Sequence, residues 1–337
     1  MDKLITVIIP SYNMEAYLER CVRSLLCPGY QRIEAIIVND GSHDGTLKLA
    51  RALEAERRDM VRVIDKTNGN YGSCINAALP LATGKYVKVL DADDCFDTTA
   101  LGEYLDSLER SDADYIVNDM VKVWTDHEDV RTFKWEADKD LDLADVYQDD
   151  GFLKITMHDV AYKTALVRSI GYKQTEGVSY SDVEWNFTPL VAVRTMRYMP
   201  VPLYRYTLDR LGQTVADGVE DRHFCDNVTV MKSMVEHYAR RGNIPTHIEW
   251  LTERLLARRA KFVYRRCLLR LADTTEPALA LLDKQVQTLT PTLSHYLDHM
   301  RLSTPLLPMH YIRLWRRNPN DWRYRLGVTM YHWLHCI

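Results

Sequence analysis

Short apolar runs recur along the first hundred residues, and each of them ends in a cluster of polar residues. The runs lie at residues 4–10, 34–38, 61–64 and 86–90. Their aliphatic, partly β-branched composition is typical of strands buried on both faces of a sheet. Segments with helical spacing alternate with them, at residues 14–26, 46–53 and 74–81. The alternation predicts an α/β fold, an open mixed and mostly parallel sheet flanked by helices.

The polar clusters follow the predicted strands, at once or after a few residues. They lie at residues 11–13, 39–42, 68–72 and 91–94. In a parallel sheet the carboxyl ends of the strands meet at one edge, and ligands bind in the crevice there. The four clusters therefore predict a single binding site at that edge.

Asp91 and Asp93 form the most acidic of these clusters. Side chains alternate along an extended backbone, so the two carboxylates point to the same side. Carboxylate oxygens at this spacing suit Mg²⁺ or Mn²⁺ carrying a diphosphate. The alternative is a solvated acidic turn that caps a helix near Phe96. The position level with the other clusters favours the metal.

The remaining clusters allow two interpretations each. Asp40 has a carboxylate suited to a nucleobase or a ribose, and it also suits a tight turn with Gly41. Asn68 and Gly72 lie where backbone N–H groups would approach a phosphate, or in a plain connection. No GxGxxG follows the first strand and no GxxxxGKS/T loop occurs, which argues against the Rossmann dinucleotide-binding and P-loop classes.

Three segments in this half of the chain resemble the catalytic half of a family 2 glycosyltransferase. They are VIIPSYNMEAYLERCVRSL, IIVNDGSHDGT and NGNYGSCINAALPLATGKYVKVLDADD. The resemblance continues more weakly from YSDVEWNFTPL to LYRYTLDRLGQTV, near residue 215. It implies the A-type glycosyltransferase (GT-A) fold and transfer of a sugar from a nucleotide donor with inversion.

The resemblance also implies roles for individual residues. Asp40 would contact the base, Asp91 the ribose or the metal, and Asp93 the divalent ion on the diphosphate. Arg210 lies in a loop that resembles a lid, where a cation would neutralise the leaving diphosphate. Ile75 stands where many members carry an arginine. The other residues assigned to the nucleotide-sugar site are Pro10, Ser11, Tyr12, Asn68, Gly72 and Ala92.

An inverting transfer needs a carboxylate within hydrogen-bond reach of the acceptor hydroxyl. Asp182, in Tyr180-Ser181-Asp182-Val183-Glu184, matches the general base of the family, and Glu184 is the alternate. Without the resemblance, Asp182 would be read as the cap of a helix predicted over residues 181–193. His158 and Trp185 are assigned to the acceptor region, although a lone histidine is more often structural.

The second part of the chain differs in charge and in pattern. Formal net charge is −4 over 337 residues, but residues 216–337 carry 18 Lys/Arg and 12 Asp/Glu, a balance of +6 that leaves −10 for residues 1–215. We predict a catalytic domain over 1–215, with a nucleotide-sugar half at about 1–100 and an acceptor half at about 101–215. A mainly helical region follows over 216–337, with helices at 221–241, 248–273 and 276–289.

Residues 301–337 form a basic, aromatic tail with six arginines and one acid. Arginine together with tryptophan and tyrosine is typical of segments that lie on anionic membranes. The alternative is a helical tail packed on the body of the protein or on a second subunit, so a homodimer stays open. The catalytic half has no feature that supports a nucleic-acid partner.

The expected cellular location rests on features that the sequence lacks. The seven cysteines are scattered, with no CxxC pair. No run approaches the ~20 apolar residues that span a bilayer. We expect a cytoplasmic protein, peripheral on the inner face of the cell membrane if the tail docks there.

Together these patterns predict an inverting glycosyltransferase with Mn²⁺ or Mg²⁺ as cofactor. The donor would be a nucleotide diphosphate sugar, foremost a UDP-sugar, and the acceptor a hydroxyl of a glycan or of a lipid-linked glycan precursor. One alternative is a sugar nucleotidyltransferase, which would need a glycine-rich basic loop after the first strand. Another is a catalytically silent module that binds a nucleotide sugar.

Overall fold

A computed structural model describes residues 3–209, 221, 223–303 and 308–335. The chain divides into two compact units, Met1–Gln213 and Thr214–Ile337. The division falls close to the predicted boundary at residue 215. Each unit has its own core and is described by itself.

The first unit is built on a mixed sheet with the order β3-β2-β1-β4-β9-β6-β10-β5, to which β7 adds at β6 and β8 at β10. Its strands are β1 (Ile5–Ser11), β2 (Ile33–Asp40), β3 (Val61–Lys66), β4 (Tyr86–Val89), β5 (Cys95–Phe96), β6 (Tyr115–Val123), β7 (Glu128–Arg131), β8 (Asp140–Asp142), β9 (Val160–Lys163) and β10 (Thr195–Thr207). Strands β1 to β4 run parallel, as do β6 and β10. The predicted fold class is confirmed.

Strand β9 runs antiparallel to both of its neighbours, β4 and β6. In this register Lys88 of β4 is opposite Ala161 of β9. Because the two strands run in opposite directions, β9 begins where β4 ends. The short 3₁₀ helix Met157–Asp159, which leads into β9, therefore lies at the carboxyl edge of the parallel strands.

Helices cover the sheet and contribute to its apolar core. They are α1 (Leu18–Arg23), α2 (Thr46–Glu56), α3 (Asn70–Ala78), α4 (Thr98–Glu109), α5 (Leu143–Val146), α6 (Thr164–Ser169) and α7 (Asp182–Trp185). Helix α4 begins at Asp97, whose side chain accepts hydrogen bonds from the backbone N–H groups of Thr99 and Ala100. Asp97, rather than the acidic cluster at 91–94, is thus the cap near Phe96.

Three predicted elements were wrong in extent. The helix expected over 181–193 stops after one turn at Trp185 and resumes as a 3₁₀ helix at Thr188–Ala192, since Pro189 lacks the N–H that a continuous α-helix needs. The sequence also predicts a strand over 131–135, but β7 ends at Arg131, and Phe133 and Trp135 stack on each other instead. Helix α1 is shorter than the expected 14–26.

The second unit is mainly helical, as predicted. Its elements are α8 (Phe224–Ala239), α9 (Thr246–Leu269), α10 (Ala272–Leu289), α11 (Pro291–His299), β11 (Leu302–Ser303), β12 (Pro308–Met309), α12 (Tyr311–Arg317) and α13 (Trp322–His335). Within the described part of the chain, no helix is both long enough and apolar enough to cross a membrane.

Candidate active site

Asp91 lies at the centre of the carboxyl edge, directly after β4. The Tyr71 hydroxyl donates to Asp91 Oδ1 at 2.9 Å, and His158 Nε2 lies 3.5 Å from Asp91 Oδ2. Burial is the main cause that raises the pKa of Tyr71, and the charges of Asp91 and Asp182 add to it. Tyr71 therefore stays a neutral donor that holds one oxygen of Asp91 and leaves the other towards His158.

Asp94 is the carboxylate that the sequence reasoning missed. It is buried, and it accepts hydrogen bonds from the Tyr204 hydroxyl at 2.8 Å and from the backbone N–H of Thr207 at 2.7 Å. Burial, with the charges of Asp91 and Asp93, raises the pKa of Asp94 to about 7. A nearby cation would strongly stabilise the charged form of this carboxyl group. The signal was present in the sequence, since Asp94 completes the run Asp91-Ala92-Asp93-Asp94.

A cluster that could hold a metal ion consists of Asp91, Asp94 and His158. Each residue offers one ligand atom, and these atoms lie within 4.8 Å of one another. The sequence assigned the metal to Asp91 and Asp93. The structure brings Asp94 and His158 to Asp91, while the Asp93 carbonyl accepts a hydrogen bond from Arg20 at 2.5 Å.

His158 was assigned to the acceptor region, but the structure places it beside Asp91. Its ring stacks on Tyr206, with the ring centroids 4.6 Å apart, and Thr156 Oγ1 lies 3.1 Å from its Nδ1. Burial opposes the charged imidazolium, but the hydrogen bond and charge of Asp91, together with Asp94 and Asp159, raise the pKa of His158 above its usual value. The ring is thus oriented from one nitrogen and directs the other towards the carboxylates.

Asp40 connects two of the polar clusters. Its Oδ1 accepts hydrogen bonds from Lys66 Nζ at 2.6 Å and from the Gly69 N–H at 3.0 Å, and Asn68 donates its side-chain amide to the Asp40 carbonyl at 2.9 Å. Among the described residues, Asp40 Oδ2 has no hydrogen-bond donor. The geometry leaves that oxygen for a ligand and shows that Asn68 shapes the Asp40 loop.

The predicted nucleotide-pocket residues after β1 differ in their access to a ligand. Ser11 is buried and donates to the Ile9 carbonyl at 3.2 Å, and Ala92 is buried as well. Pro10 is half-buried, whereas the Tyr12 ring is 43% exposed and lies edge-on to His43. Of this group, Tyr12 offers the most accessible surface for stacking.

Gly72 is explained by packing rather than by a phosphate. It lies inside α3, and a Cβ at this position would come within 2.1 Å of the Thr175 carbonyl oxygen. Asn76 holds the same loop, because its amide donates to the Gln174 carbonyl at 2.9 Å. Ile75 is fully buried, so the position where many relatives carry an arginine contributes to the core.

Asp182 is half-buried in the first turn of α7, where Ser181 occupies the cap position. The preceding Tyr180 has a φ of 60°, a left-handed conformation that is costly for a residue with a Cβ. Burial raises the pKa of Tyr206, and the charges of four carboxylates raise it further; they are Asp94, Asp91, Asp93 and Asp182. Asp182 therefore lies near enough to Tyr206, and likewise to Tyr71, for its charge to act on their hydroxyl groups.

The alternate base, Glu184, is committed elsewhere. It is buried, and its carboxylate accepts hydrogen bonds from the Thr175 N–H at 2.7 Å and the Thr175 hydroxyl at 2.8 Å. Trp185 is only 1% exposed and packs edge-to-face on Tyr162 and Tyr172. Glu184 and Trp185 thus belong to the packed interior, and Trp185 does not line an acceptor surface.

The predicted lid residue, Arg210, lies outside the described residues. A different arginine is present at the site: the exposed Arg20 reaches from α1 to the Asp93 carbonyl and, at 3.3 Å, to the Thr207 hydroxyl. No periodic pattern in the sequence points to Arg20, because only folding brings α1 against the acidic cluster.

The chain is similar to known glycosyltransferases. Residues 6–167 match the family described as Glycosyl transferase family 2. The glycosyltransferase MG060 of Mycoplasma genitalium, described as uncharacterized, is 24% identical over 250 residues, which cover 70% of this chain and 80% of that protein.

Solved structures with a similar fold include TarS and a mannosyltransferase. S. aureus TarS 1-349 in complex with UDP-GlcNAc matches with a TM-score of 0.73 at 20% identity, over 98% of this chain and 91% of that one. The mannosyltransferase PcManGT from Pyrobaculum calidifontis, in complex with GDP-Man and Mn²⁺, matches with a TM-score of 0.52 at 17% identity, over 99% and 85% of the two chains.

The sheet order, the acidic edge and these relatives define a glycosyltransferase with the GT-A fold. Residues 6–167 form a domain of glycosyl transferase family 2.

Proposed function

We propose that the protein is a metal-dependent, inverting glycosyltransferase that uses a nucleotide diphosphate sugar, foremost a UDP-sugar. The observation that carries this proposal is the convergence of Asp91, Asp94 and His158 within 4.8 Å, with the charge of Asp182 acting on the same region. The acceptor would be a hydroxyl of a glycan or of a lipid-linked glycan precursor. A lipid-linked acceptor would place the enzyme at the inner face of the cell membrane.

Asp91, Asp94 and His158 have the chemistry of a divalent-cation site. Two carboxylates and an imidazole suit Mn²⁺ better than Mg²⁺, which prefers oxygen ligands alone. The buried Asp94 supports the assignment, because a cation would stabilise its charged form. When bound, the ion would neutralise the charge of the leaving diphosphate. Asp93 stays a further candidate ligand.

Asp182 would act as the general base. Its carboxylate would take the proton of the acceptor hydroxyl while that oxygen bonds to the anomeric carbon and the bond to the diphosphate breaks. Because attack comes from the face opposite the leaving group, the product has the inverted configuration. Glu184 would hold the 174–177 loop and leave the proton transfer to Asp182.

The nucleotide would lie between Tyr12 and the Asp40 loop. Tyr12 offers an exposed ring for stacking on a base, and Asp40 Oδ2 offers an acceptor to a base N–H group. Lys66 would orient the Asp40 carboxylate through their 2.6 Å ion pair. TarS, whose fold is similar, binds UDP-GlcNAc in its crystal structure, and this likeness of fold supports a uracil nucleotide here.

A thermal-shift screen tests the donor and the metal together. The full chain would be screened against UDP-sugars and GDP-sugars, each with and without Mn²⁺, and the best binder would be assayed for nucleotide release. We expect a Mn²⁺-dependent rise in Tm with a UDP-sugar, because binding to the native state stabilises it. Asp91→Asn should abolish that rise, whereas Asp126→Asn, on an exposed side chain, should keep it.

Two results of the same assay would contradict the proposal. Stabilisation without Mn²⁺ dependence and without nucleotide release would indicate a silent binding module. Synthesis of a nucleotide sugar from a nucleoside triphosphate and a sugar phosphate would indicate a nucleotidyltransferase. Proton NMR of the product, read at the anomeric position, tests inversion.

A further inference from the structure

Helix α13 carries an apolar stripe that faces away from the protein. Trp322 and Trp333 are 71% and 64% exposed, and Leu326 between them is 45% exposed. At 100° per residue the three side chains fall within about 40° of one another on the helix. They form one continuous line, about 16 Å long at 1.5 Å per residue. We call these three residues the outer stripe.

The opposite face of the same helix is packed. Tyr324 and Tyr331 are buried, and Gly327 lies so close to the Tyr311 ring that a Cβ would come within 2.2 Å of it. The Tyr324 hydroxyl donates to the Leu268 carbonyl at 3.2 Å. Helix α13 is therefore anchored by one face, and the outer stripe is not needed for its folding.

The structure divides the basic, aromatic tail into two sets of residues. Trp315 is buried, and Arg316 bonds to Asp283 at 2.6 Å and pairs with Asp298 at 3.1 Å, as the packed-tail alternative predicts. The exposed set is smaller and consists of the outer stripe with the exposed arginines of α12 and α13; these are Arg313, Arg317, Arg323 and Arg325.

The charge around the outer stripe is positive. Arg323 and Arg325 flank it on α13, and Asp321 is the one acidic residue in the sequence from 308 to 335, where it pairs with Arg323 at 2.7 Å. Arg313 and Arg317 have no ion-pair partner among the described residues. Exposed indole rings beside guanidinium groups match the boundary of an anionic bilayer, where indole prefers the headgroup level and arginine binds phosphate.

We propose that the outer stripe docks this protein on an anionic lipid surface, with α13 lying in the plane of the headgroups. A second copy of the chain fits less well, because a two-fold contact through this stripe would bring the arginines of one protomer against those of the other. The surface is independent of the chemistry at Asp91, so its test does not depend on the donor or the acceptor.

Vesicle sedimentation with the full chain tests the docking. Vesicles of phosphatidylcholine alone would be compared with vesicles that also contain phosphatidylglycerol, at low and at physiological salt. We expect binding to the anionic vesicles only, weakened by salt. Trp322→Ser/Trp333→Ser should lower the partition coefficient at least about tenfold, and Arg323→Gln/Arg325→Gln should lower it roughly tenfold at low salt.

Matched controls come from exposed residues elsewhere on the chain. Leu281→Ser/Tyr296→Ser removes apolar side chains that are 64% and 48% exposed, and Arg58→Gln/Arg240→Gln removes two exposed cations. Both controls should bind like the wild type. Unchanged thermal unfolding of all four variants would show that they are folded.

Four outcomes would overturn the proposal. They are failure of the wild type to bind anionic vesicles at low salt, equal binding to neutral vesicles, equal loss in the control variants, and a dimer that the double tryptophan variant dissociates while vesicle binding is unaffected. Quenching by brominated lipids adds an independent readout. These lipids should quench part of the tryptophan fluorescence of the wild type, but they should not quench the fluorescence that remains in Trp322→Ser/Trp333→Ser.

Discussion

His158 Nε2 lies 3.5 Å from Asp91 Oδ2, although the two residues belong to distant parts of the sequence. The antiparallel strand β9 creates this proximity, because it starts where β4 ends. Behind the histidine, Arg131 Nη2 donates to Asp159 at 2.6 Å and to the Thr156 hydroxyl at 2.7 Å. A partly buried polar network therefore supports the imidazole through Thr156, which contacts its Nδ1.

His158→Ala should raise the Mn²⁺ concentration needed for half-maximal transfer. Loss of one of three proposed protein ligands should weaken Mn²⁺ binding at least about tenfold. Removal of a residue that only supports a metal ligand already weakens metal binding by about 10–100-fold. The measurement is a Mn²⁺ titration of activity at saturating donor. His127→Ala, on an exposed histidine, is the control. An unchanged Mn²⁺ requirement would remove His158 from the ligand set.

Asp182→Asn should reduce turnover by about 10²–10⁴-fold, the usual contribution of a general base. Donor affinity, measured by calorimetry with Mn²⁺ present, should stay at the wild-type value, because the amide keeps the size of the side chain. Asp126→Asn, whose side chain is 84% exposed, should leave both quantities unchanged. Near-normal turnover of Asp182→Asn would refute the assignment.

Glu184→Gln should destabilise the protein by about 1–3 kcal/mol, because the charged acceptor of the two Thr175 hydrogen bonds is lost from a buried site. Urea unfolding measures this free energy. Glu136→Gln, on an exposed side chain, should unfold like the wild type. If Glu184 were the base, turnover would collapse while the free energy of unfolding stayed constant.

Gly72→Ala should destabilise the protein by roughly 1–3 kcal/mol, since the new methyl group would overlap the Thr175 carbonyl. Gly102, in the middle of α4, is the matched control, because a Cβ there meets nothing within 4 Å. Gly102→Ala should stabilise α4 by up to about 1 kcal/mol. Equal effects of the two substitutions in thermal unfolding would contradict the close approach at Gly72.

Lys88 should make stability depend on pH. It is fully buried, it donates to Asn118 Oδ1 at 2.8 Å and to the His158 carbonyl at 2.8 Å, and burial lowers the pKa of its ammonium to about 7. Between pH 7 and the ordinary pKa near 10.5, the unfolded chain thus binds more protons than the folded one. The free energy of unfolding should rise with pH across that window, by a few kcal/mol at most.

The comparison that isolates this term is Lys88→Met. The difference between the urea unfolding free energies of the wild type and of the variant should grow in favour of the wild type from pH 7 to pH 10. Other groups that titrate in this range, such as cysteines, are common to both proteins and cancel. A pH-independent difference would mean that Lys88 stays charged in the fold.

The sequence alone predicted the sheet and the position of the site, because strands buried on both faces need continuous apolar runs and turn polar only where they end. That pattern is enough to predict that Asp40 and Asp91 lie at one edge of the sheet. It also indicated the helical character of the second unit. The length of α1 and the break after Trp185 were missed, since loop contacts and a proline set them.

Choices among neighbouring residues required the tertiary structure. The sequence offered Asp91 and Asp93 for the metal, and Asp182 or Glu184 for the base, without a physical means of deciding. Burial against Tyr204 distinguishes Asp94, and the Thr175 loop occupies Glu184.

The same distinction applies to the basic, aromatic tail of the second unit. Its composition follows from the sequence, but which aromatic side chains face outward depends on the packing of α13 against Tyr311 and Leu268. Composition and periodicity determine which segments fold and where their polar ends gather. Distances between side chains from separate segments arise only when the strands pair and the helices pack, and those distances decide which residues act.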